Sequence, residues 1–260
     1  EWIQRWLVRT RKSWPRFLAG WLVTALVLAH LSGRFPIPWI DRLDNVIYDA
    51  RLNLTLPGGV HPDIVILDID EKSLALPELG RWPWGQDKMA NIVNTLFDHY
   101  QIKMVGFDSV WAEKDRGSGL EVLQQLARNE LKDVGPYQQA LAKLSPRLDH
   151  EAQFAQALKD RPVVMGFYFN SATDALESGV LPDPSLPSGA FDPYETHFPR
   201  RTGFGANLPS LMASASLSGH FNPTIDTDGV IRRVPMFLEY KGQHYESLSL
   251  AMVRLLIGVE

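Results

Sequence analysis

The sequence predicts a mixed α/β domain with a parallel-rich central sheet flanked by helices and a C-terminal antiparallel hairpin, preceded by one N-terminal transmembrane helix. A charge-free apolar run near the N-terminus predicts the membrane helix. Further along, β-branched runs alternate with apolar residues at helical spacing, which is typical of α/β proteins. Near the C-terminus, an Asp-Gly pair between two extended runs predicts the hairpin. With 45% hydrophobic and 22% charged residues, the composition is that of a globular protein.

The composition also excludes several classes of protein and site. The 260 residues include no cysteine, which excludes disulfide scaffolds, thiolate zinc sites, iron–sulfur clusters and cysteine nucleophiles. A net charge of −4 gives no indication of nucleic acid binding. The mean hydropathy of −0.13 excludes a multi-pass membrane protein. The seven histidines contain no i,i+4 pair, so we predict no metal site and no cofactor.

Residues 17–33 are the apolar run, FLAGWLVTALVLAHLSG, which carries no formal charge. As a helix it would span roughly 25 Å, slightly less than the ~30 Å hydrocarbon core of a bilayer. Arg16 and Arg34 flank it and can extend toward the two interfaces, which makes up the difference. We therefore predict an uncleaved transmembrane helix at 17–33. A cleaved signal peptide and a soluble helix are the open alternatives.

The charges around this run predict its orientation. Five of the six basic residues among the first 34 precede the run, and the positive-inside rule keeps that side in the cytoplasm. Residues 1–16 are then a basic cytoplasmic N-terminus, and residues 34–258 form a domain outside the cytoplasm. The lipid bilayer is the first predicted partner.

The first part of the outer domain alternates helix and strand. Residues 41–54 have apolar side chains at helical spacing and predict an amphipathic helix. Residues 64–70, IVILDID, predict a buried strand. A helix at 87–100 and a second strand at 103–108 follow. Strand, helix and strand in this order predict a crossover between parallel neighbours.

The second part contains a helical insertion and further strands. Residues from about 116 to 160 are highly charged and have apolar residues at helical spacing, which predicts a helical insertion. Residues 163–169, VVMGFYF, predict a third buried strand. The hairpin turns at Asp228-Gly229, and a last helix, too short to cross a bilayer, covers residues 248–257.

Acidic side chains at the ends of the first two strands are the first candidate binding residues. Asp68 and Asp70 lie two apart on one strand, and Asp108 ends the next. The carboxyl ends of parallel strands are where open α/β sheets bind ligands, so these acids could hold a cation or a cationic ligand. The alternative is structural, with Asp70 capping a helix and the other two pairing with Arg81 or with loop amides.

The loop that follows adds two aromatic candidates. Trp82 and Trp84 flank a proline directly after Arg81. Such side chains either pack against the domain or the membrane, or they contact a ligand or a partner.

The strand ending in Asp68 and Asp70 also allows an enzyme interpretation. It is similar to the nucleophile strand of haloacid-dehalogenase-like phosphatases, where the first Asp attacks phosphate and the second acts as acid and base. Lys72 stands where those enzymes usually have Thr or Val, and no Lys with paired acids follows. We therefore predict no catalytic residue and keep a phosphatase only as an alternative.

Several pieces in order resemble the CHASE2 family, the extracytoplasmic sensory domains of bacterial membrane receptors. They cover about residues 41–258 and read YDAR at 48–51, VILDIDEKSL at 65–74, GRWPW at 80–84, GFD at 106–108 with Glu113 and Asp115, GHFN at 219–222, DTDGVIRRVP at 226–235 and YESLSLAMVRL at 245–255. Residues 116–146 do not match the family pattern, which fits an insertion.

The resemblance implies a function and a location. A CHASE2 domain would lie in the periplasm, anchored in the bacterial inner membrane. It would perform no chemistry itself but pass a signal to a cytoplasmic output domain, such as an adenylate or guanylate cyclase or a sensor kinase. The resemblance further implies a homodimer and an unidentified extracytoplasmic ligand or protein partner. A dimerising ectodomain without a small ligand is the remaining alternative.

Overall fold

The computed structural model describes residues 2–259 except 172–174, 193, 195 and 197, with side chains from residue 14 onward. The chain divides into two compact units, residues 1–67 and residues 68–260. The first unit contains two helices, α1 at Trp2–Leu31 and α2 at Pro38–Thr55. The second unit contains the sheets and all other described helices.

Helix α1 includes the predicted apolar run. Its segment Trp14–Leu31 has a mean hydropathy of 1.3 and no buried residue, so it is long and apolar enough to cross a membrane. His30, at its end, accepts a hydrogen bond at Nδ1 from the main-chain N–H of Ile37, at 3.0 Å. Its Nε2 lies 3.5 Å from Asp41 in α2. Pro38 then begins α2, since proline is well tolerated in the first helical turn.

The strand predicted at residues 64–70 is absent, and that prediction is wrong. Residues 61–70 form no regular element, and the side chains of Ile64, Val65, Ile66 and Leu67 are 66–86% exposed. β-branched residues favour an extended backbone, but a strand also needs a neighbour for its N–H and C=O groups. No described strand pairs with this segment.

The second unit has eight helices or helical turns and ten short strands among its described residues. In chain order they are α3 (Glu71–Leu74), α4 (Gln86–Asn94) with a π-helical turn at Thr95–His99, β1 (Val105–Phe107), α5 (Leu120–Arg128), α6 (Gly135–Leu148), α7 (His150–Leu158), β2 (Val163–Asn170), β3 (Glu177–Ser178), β4 (Arg200–Arg201), β5 (Gly203–Gly205), α8 (Pro209–Ser214), β6 (Leu217–His220), β7 (Thr224–Ile225), β8 (Ile231–Arg233), β9 (Phe237–Tyr240), β10 (Gln243–Glu246) and α9 (Leu248–Ile257).

Strand β2 is the centre of the main sheet. Its first half pairs in parallel with β1 on one side and with β6 on the other. Its second half pairs antiparallel with β5, which in turn pairs with β3. The parallel crossover therefore runs from β1 through α5, α6 and α7 to β2, so the predicted helical segment at 116–160 forms this connection. The parallel-rich sheet is confirmed, although a different pair of strands supplies it.

The predicted C-terminal antiparallel strands are also present. β9 and β10 form a hairpin around residues 241–242, and β4 adds in parallel to β9. β7 and β8 form a second hairpin around Asp228-Gly229, where Gly229 has a φ of +82° that glycine adopts without strain.

Two hydrophobic clusters hold this unit together. The first joins α4, α7 and α8 to the sheet and includes the fully buried Val93, Phe154, Leu158 and Leu211. The second lies between β2 and the β9–β10 hairpin, where aromatic rings dominate: Phe167, Phe169, Tyr240 and Tyr245.

Helix α9 packs closely on β6 and β2. Ser247 caps it, since its Oγ accepts a hydrogen bond from the main-chain N–H of Leu250 at 3.3 Å. A Cβ at Gly219 would lie 2.6 Å from Leu248 Cα, so only glycine allows the start of the helix to approach β6 this closely.

Candidate functional site

Among the described residues, Asp68, Asp70 and Asp108 are not grouped within metal-ligand distance of one another. Asp70 is the N-cap of α3, and its Oδ1 accepts hydrogen bonds from the main-chain N–H and the hydroxyl of Ser73 at 2.9 and 2.8 Å. Asp68, Asp108 and Arg81 are exposed. Because residues 64–70 form no strand, the alignment that would bring the three acids together is missing. A ligand role for these residues stays a prediction.

The tryptophan loop has one buried and one exposed ring. Trp84 is 7% exposed, belongs to the first hydrophobic cluster and donates its Nε1–H to Gly80 O at 2.8 Å. Trp82 is 42% exposed and packs edge-on against Trp84, with ring centroids 5.8 Å apart. The packing interpretation therefore holds for Trp84, whereas Trp82 presents part of its ring to solvent.

Directly after this loop, the structure brings together three titratable residues from distant parts of the chain. Asp87 lies in the first turn of α4, Asp115 in the loop after β1, and His150 begins α7. One ligand atom from each lies within 4.8 Å of the others, and all three side chains are half-buried. We call Asp87, Asp115 and His150 the Asp–His cluster.

The Asp–His cluster has a defined hydrogen-bonding geometry. His150 Nδ1 lies 2.9 Å from Asp115 Oδ2 and 3.4 Å from Asp87 Oδ1. Asp115 also accepts main-chain N–H groups, from Gln86 at Oδ2 over 3.0 Å and from Gly117 at Oδ1 over 2.7 Å. One carboxylate thus fixes the start of α4, the loop after β1 and the start of α7 relative to one another.

The electrostatics of Asp115 follow from these contacts. Burial raises the pKa of its carboxyl, but the hydrogen bonds from Gln86, His150 and Gly117 outweigh this effect. The pKa therefore stays below the ordinary value, and Asp115 is ionised at neutral pH. Two carboxylates beside one imidazole nitrogen can hold a cation between the three side chains.

Sequence reasoning missed the Asp–His cluster for an identifiable reason. His150 lies in the segment treated as an insertion, and no local spacing connects it to the two acids. Asp115 was noted only as part of a family pattern. Of the three residues, Asp87 is the one that lies beside a predicted candidate, because it follows the tryptophan loop in the run Trp84-Gly85-Gln86-Asp87.

A second pair of acids already has a cationic partner. Arg232, which is 5% exposed, donates to Asp226 Oδ2 at 3.0 Å and to Asp228 Oδ2 at 2.8 Å. The guanidinium stabilises the β7–β8 turn and lowers the pKa of Asp228 to about 2. These acids therefore act within the hairpin.

The comparison with protein families identifies this chain. The model of the CHASE2 domain matches residues 21–258. The chain belongs to the CHASE2 family. No curated protein and no solved structure gives a significant match.

Membership of the CHASE2 family confirms the resemblance found in the sequence. CHASE2 domains are extracytoplasmic sensory domains of bacterial receptors. Together with one helix that is apolar and long enough to cross a membrane, the family match describes a membrane-anchored sensor module. Within that module, the Asp–His cluster and the tryptophan loop before it are the candidate functional site.

Proposed function

We propose that this chain is the sensor part of a bacterial inner-membrane receptor, with residues 1–16 in the cytoplasm and residues 34–258 in the periplasm. The observation that carries the proposal is the overlap of two features in α1. The CHASE2 match begins at residue 21, inside the apolar segment Trp14–Leu31. A sensory domain that is continuous with a membrane helix is built to pass a signal along it. The basic residues before the helix support this orientation.

The proposed mechanism is a population shift. A ligand or partner that binds one arrangement of the domain better than another stabilises that arrangement, and the membrane helix carries the change to the cytoplasm. A coupling free energy of about 1–3 kcal/mol is enough for a 5–150-fold change in the balance of states. We propose a nucleotide cyclase as the output domain, since CHASE2 receptors often carry one.

Reporter fusions test the orientation. A reporter that works only in the cytoplasm should be active when fused before Arg5 and inactive when fused after Pro57. A periplasm-specific reporter at the same two positions should give the opposite result. Cytoplasmic activity at both positions would disprove an anchored, N-in sensor.

The output is tested separately in the full-length receptor. Production of cyclic AMP or cyclic GMP should change when residues 34–258 are replaced by an unrelated periplasmic domain of similar size. Autophosphorylation in place of cyclic nucleotide synthesis would identify a kinase output. Output that ignores the replacement would contradict a sensory role for the domain.

A further inference from the structure

We propose that the Asp–His cluster binds a divalent transition-metal ion, with one oxygen each from Asp87 and Asp115 and Nδ1 of His150 as ligands. Binding stands on the geometry of this chain alone. A signalling role for the ion, in contrast, rests on the proposed sensory function.

The two separations between His150 and the carboxylates fit a metal ion, and the three ligand atoms all lie within 4.8 Å of one another. Donors at bond lengths of about 2.0–2.1 Å lie about 2.9 Å apart in an octahedral site and about 3.4 Å apart in a tetrahedral one. His150 Nδ1 lies 2.9 Å from Asp115 Oδ2 and 3.4 Å from Asp87 Oδ1. An ion could therefore enter with only small side-chain movements.

An independent observation concerns Gln86, the residue that precedes Asp87 in the chain. Gln86 is 3% exposed, and its main-chain N–H donates to Asp115 Oδ2. Its side-chain Nε2 donates to Glu113 O at 3.4 Å, along the same loop that carries Asp115. The remaining atom, Oε1, is buried and has no hydrogen-bond partner among the residues that the structure describes. A buried acceptor without a partner costs about 1–3 kcal/mol, and a cation or its coordinated water would satisfy this oxygen.

The surroundings hold the ligands in place before an ion arrives. Asp115 is oriented by two main-chain N–H groups, which is the outer-shell support typical of metal-binding carboxylates. The absence of a side chain at Gly85 makes room, because a Cβ there would lie 2.5 Å from Asp87 Oδ1 and 3.2 Å from Asp115 Oδ2. Any residue other than glycine would displace the Asp87 carboxylate from this position.

Charge favours a cation despite the neighbouring helix ends. The N-termini of α4 and α7 each contribute a partial positive charge equivalent to about half an elementary charge. Two carboxylates carry more negative charge than the two helix ends offset, so the local charge favours a cation. An imidazole with two carboxylates suits Zn²⁺ or Mn²⁺, whereas Mg²⁺ and Ca²⁺ prefer oxygen ligands alone.

The test uses the full 260-residue chain in lipid nanodiscs, stripped of metal with a chelator. Calorimetric titration with ZnCl₂ and electron paramagnetic resonance with MnCl₂ should each show one ion bound per chain. Asp87→Asn and His150→Asn should weaken binding about 100-fold or more, since even outer-shell changes typically cost 10–100-fold. The matched controls Asp133→Asn and His99→Asn make the same chemical changes at exposed positions and should bind within about 2-fold of the original protein.

Thermal melting distinguishes variants that lose the ion from variants that lose the fold. Zn²⁺ should raise the melting temperature of the original protein and of both controls, but not that of Asp87→Asn or His150→Asn. Asp87 is the informative position, because among the described residues its carboxylate contacts His150, whereas Asp115 also holds two main-chain N–H groups. Absence of saturable binding to the original protein would overturn the proposal. Binding that is unchanged in Asp87→Asn and His150→Asn would overturn it as well.

A separate readout distinguishes this proposal from the proposed function. If Zn²⁺ binds but cyclic nucleotide output of the full-length receptor ignores it, the site exists and its signalling role is wrong. If output responds to the domain but no ion binds, the sensory function stands and the metal site is wrong.

Discussion

Arg254 in α9 holds the carboxylate of Glu246 at the end of β10. Its Nε donates to both carboxylate oxygens at 3.2 Å, and its Nη2 donates to Oε1 at 2.6 Å. The Glu246 side chain is only 3% exposed, whereas that of Arg254 is 25% exposed. This ion pair therefore ties the last helix to the C-terminal hairpin from inside the domain.

Replacing Arg254 with Met should lower the free energy of unfolding by about 3 kcal/mol, because the Glu246 charge would stay buried without a partner. Chemical denaturation with a far-UV circular dichroism readout measures the loss. The double variant Arg254→Met/Glu246→Met should recover most of it. A double variant as unstable as the single one would contradict this explanation.

Asn207 is expected to be more sensitive than its size indicates. It is fully buried, accepts the main-chain N–H of Trp111 at Oδ1 and donates from Nδ2 to Gly166 O, both at 2.8 Å. Asn207→Ala leaves both main-chain groups buried and unpaired, and should cost about 2–4 kcal/mol of the unfolding free energy. Asn91→Ala, on the exposed face of α4, should change it by less than about 0.5 kcal/mol. Equal effects at the two positions would contradict the bridging role.

His220 should make the stability sensitive to acid. Burial, together with the charge of Arg201, lowers its pKa from 6.5 to about 4. As the pH falls, the unfolded chain therefore takes up a proton first. Stability should decrease between about pH 6.5 and pH 4, by about 3 kcal/mol in total, and then level off.

The control for His220 is His220→Leu, which removes the titration and keeps an apolar side chain. Unfolding free energies measured from pH 4 to pH 8 should fall less steeply toward acid in this variant. Parallel curves for the two proteins would show that His220 is not the titrating group.

Asp68 and Asp108 are exposed, so their joint replacement tests binding without much risk to the fold. Asp68→Asn/Asp108→Asn should change the unfolding free energy by less than about 0.5 kcal/mol. If these acids bind a ligand, the output of the full-length receptor should nevertheless change. A large loss of melting temperature with normal output would remove both from the list of candidate site residues.

The small residues of α1 are candidates for helix association in the membrane. Thr24 Oγ1 donates to Gly20 O at 2.9 Å, and no described atom beyond the helix's own backbone lies within 4 Å of a Cβ placed at Gly20. If two copies of the chain associate through α1, Gly20→Leu/Thr24→Leu should weaken their crosslinking in the membrane. Leu22→Phe/Leu26→Phe adds bulk to the opposite face of the helix and should not. Equal yields from both double variants would exclude this contact, and α2 would be examined next.

The sequence predicts best those elements that have a strong local pattern of apolar and capping residues. The helix predicted at 248–257 matches α9, and the strand predicted at 163–169 matches β2 within one residue. Both have strong local patterns, an apolar face with a Ser cap and a continuous buried run. The segment at 64–70 has an equally strong strand pattern, but pairing depends on a neighbour that the local sequence does not encode.

Tertiary structure supplies what the sequence could not. β5 is Gly-Phe-Gly, which has low strand propensity, yet its backbone pairs with Tyr168–Asn170. The Asp–His cluster depends on the packing of α4 against α7, which brings His150 to the two acids across the intervening chain. In contrast, Asp70 capping α3 was among the alternatives, because an acid before a short helical stretch is a local signal.

Strand β2 extends beyond its neighbour β6, and one side chain completes the ladder. After His220 the chain leaves the sheet, but Asn222 accepts the N–H of Phe169 at Oδ1 and donates from Nδ2 to Phe169 O, both at 2.7 Å. The Asn222 carboxamide thus makes the two hydrogen bonds that the backbone of a neighbouring strand would otherwise make with Phe169. We therefore expect the protection of the Phe169 amide from hydrogen exchange to depend on a side chain, so that Asn222→Ala speeds its exchange while the strands stay in place.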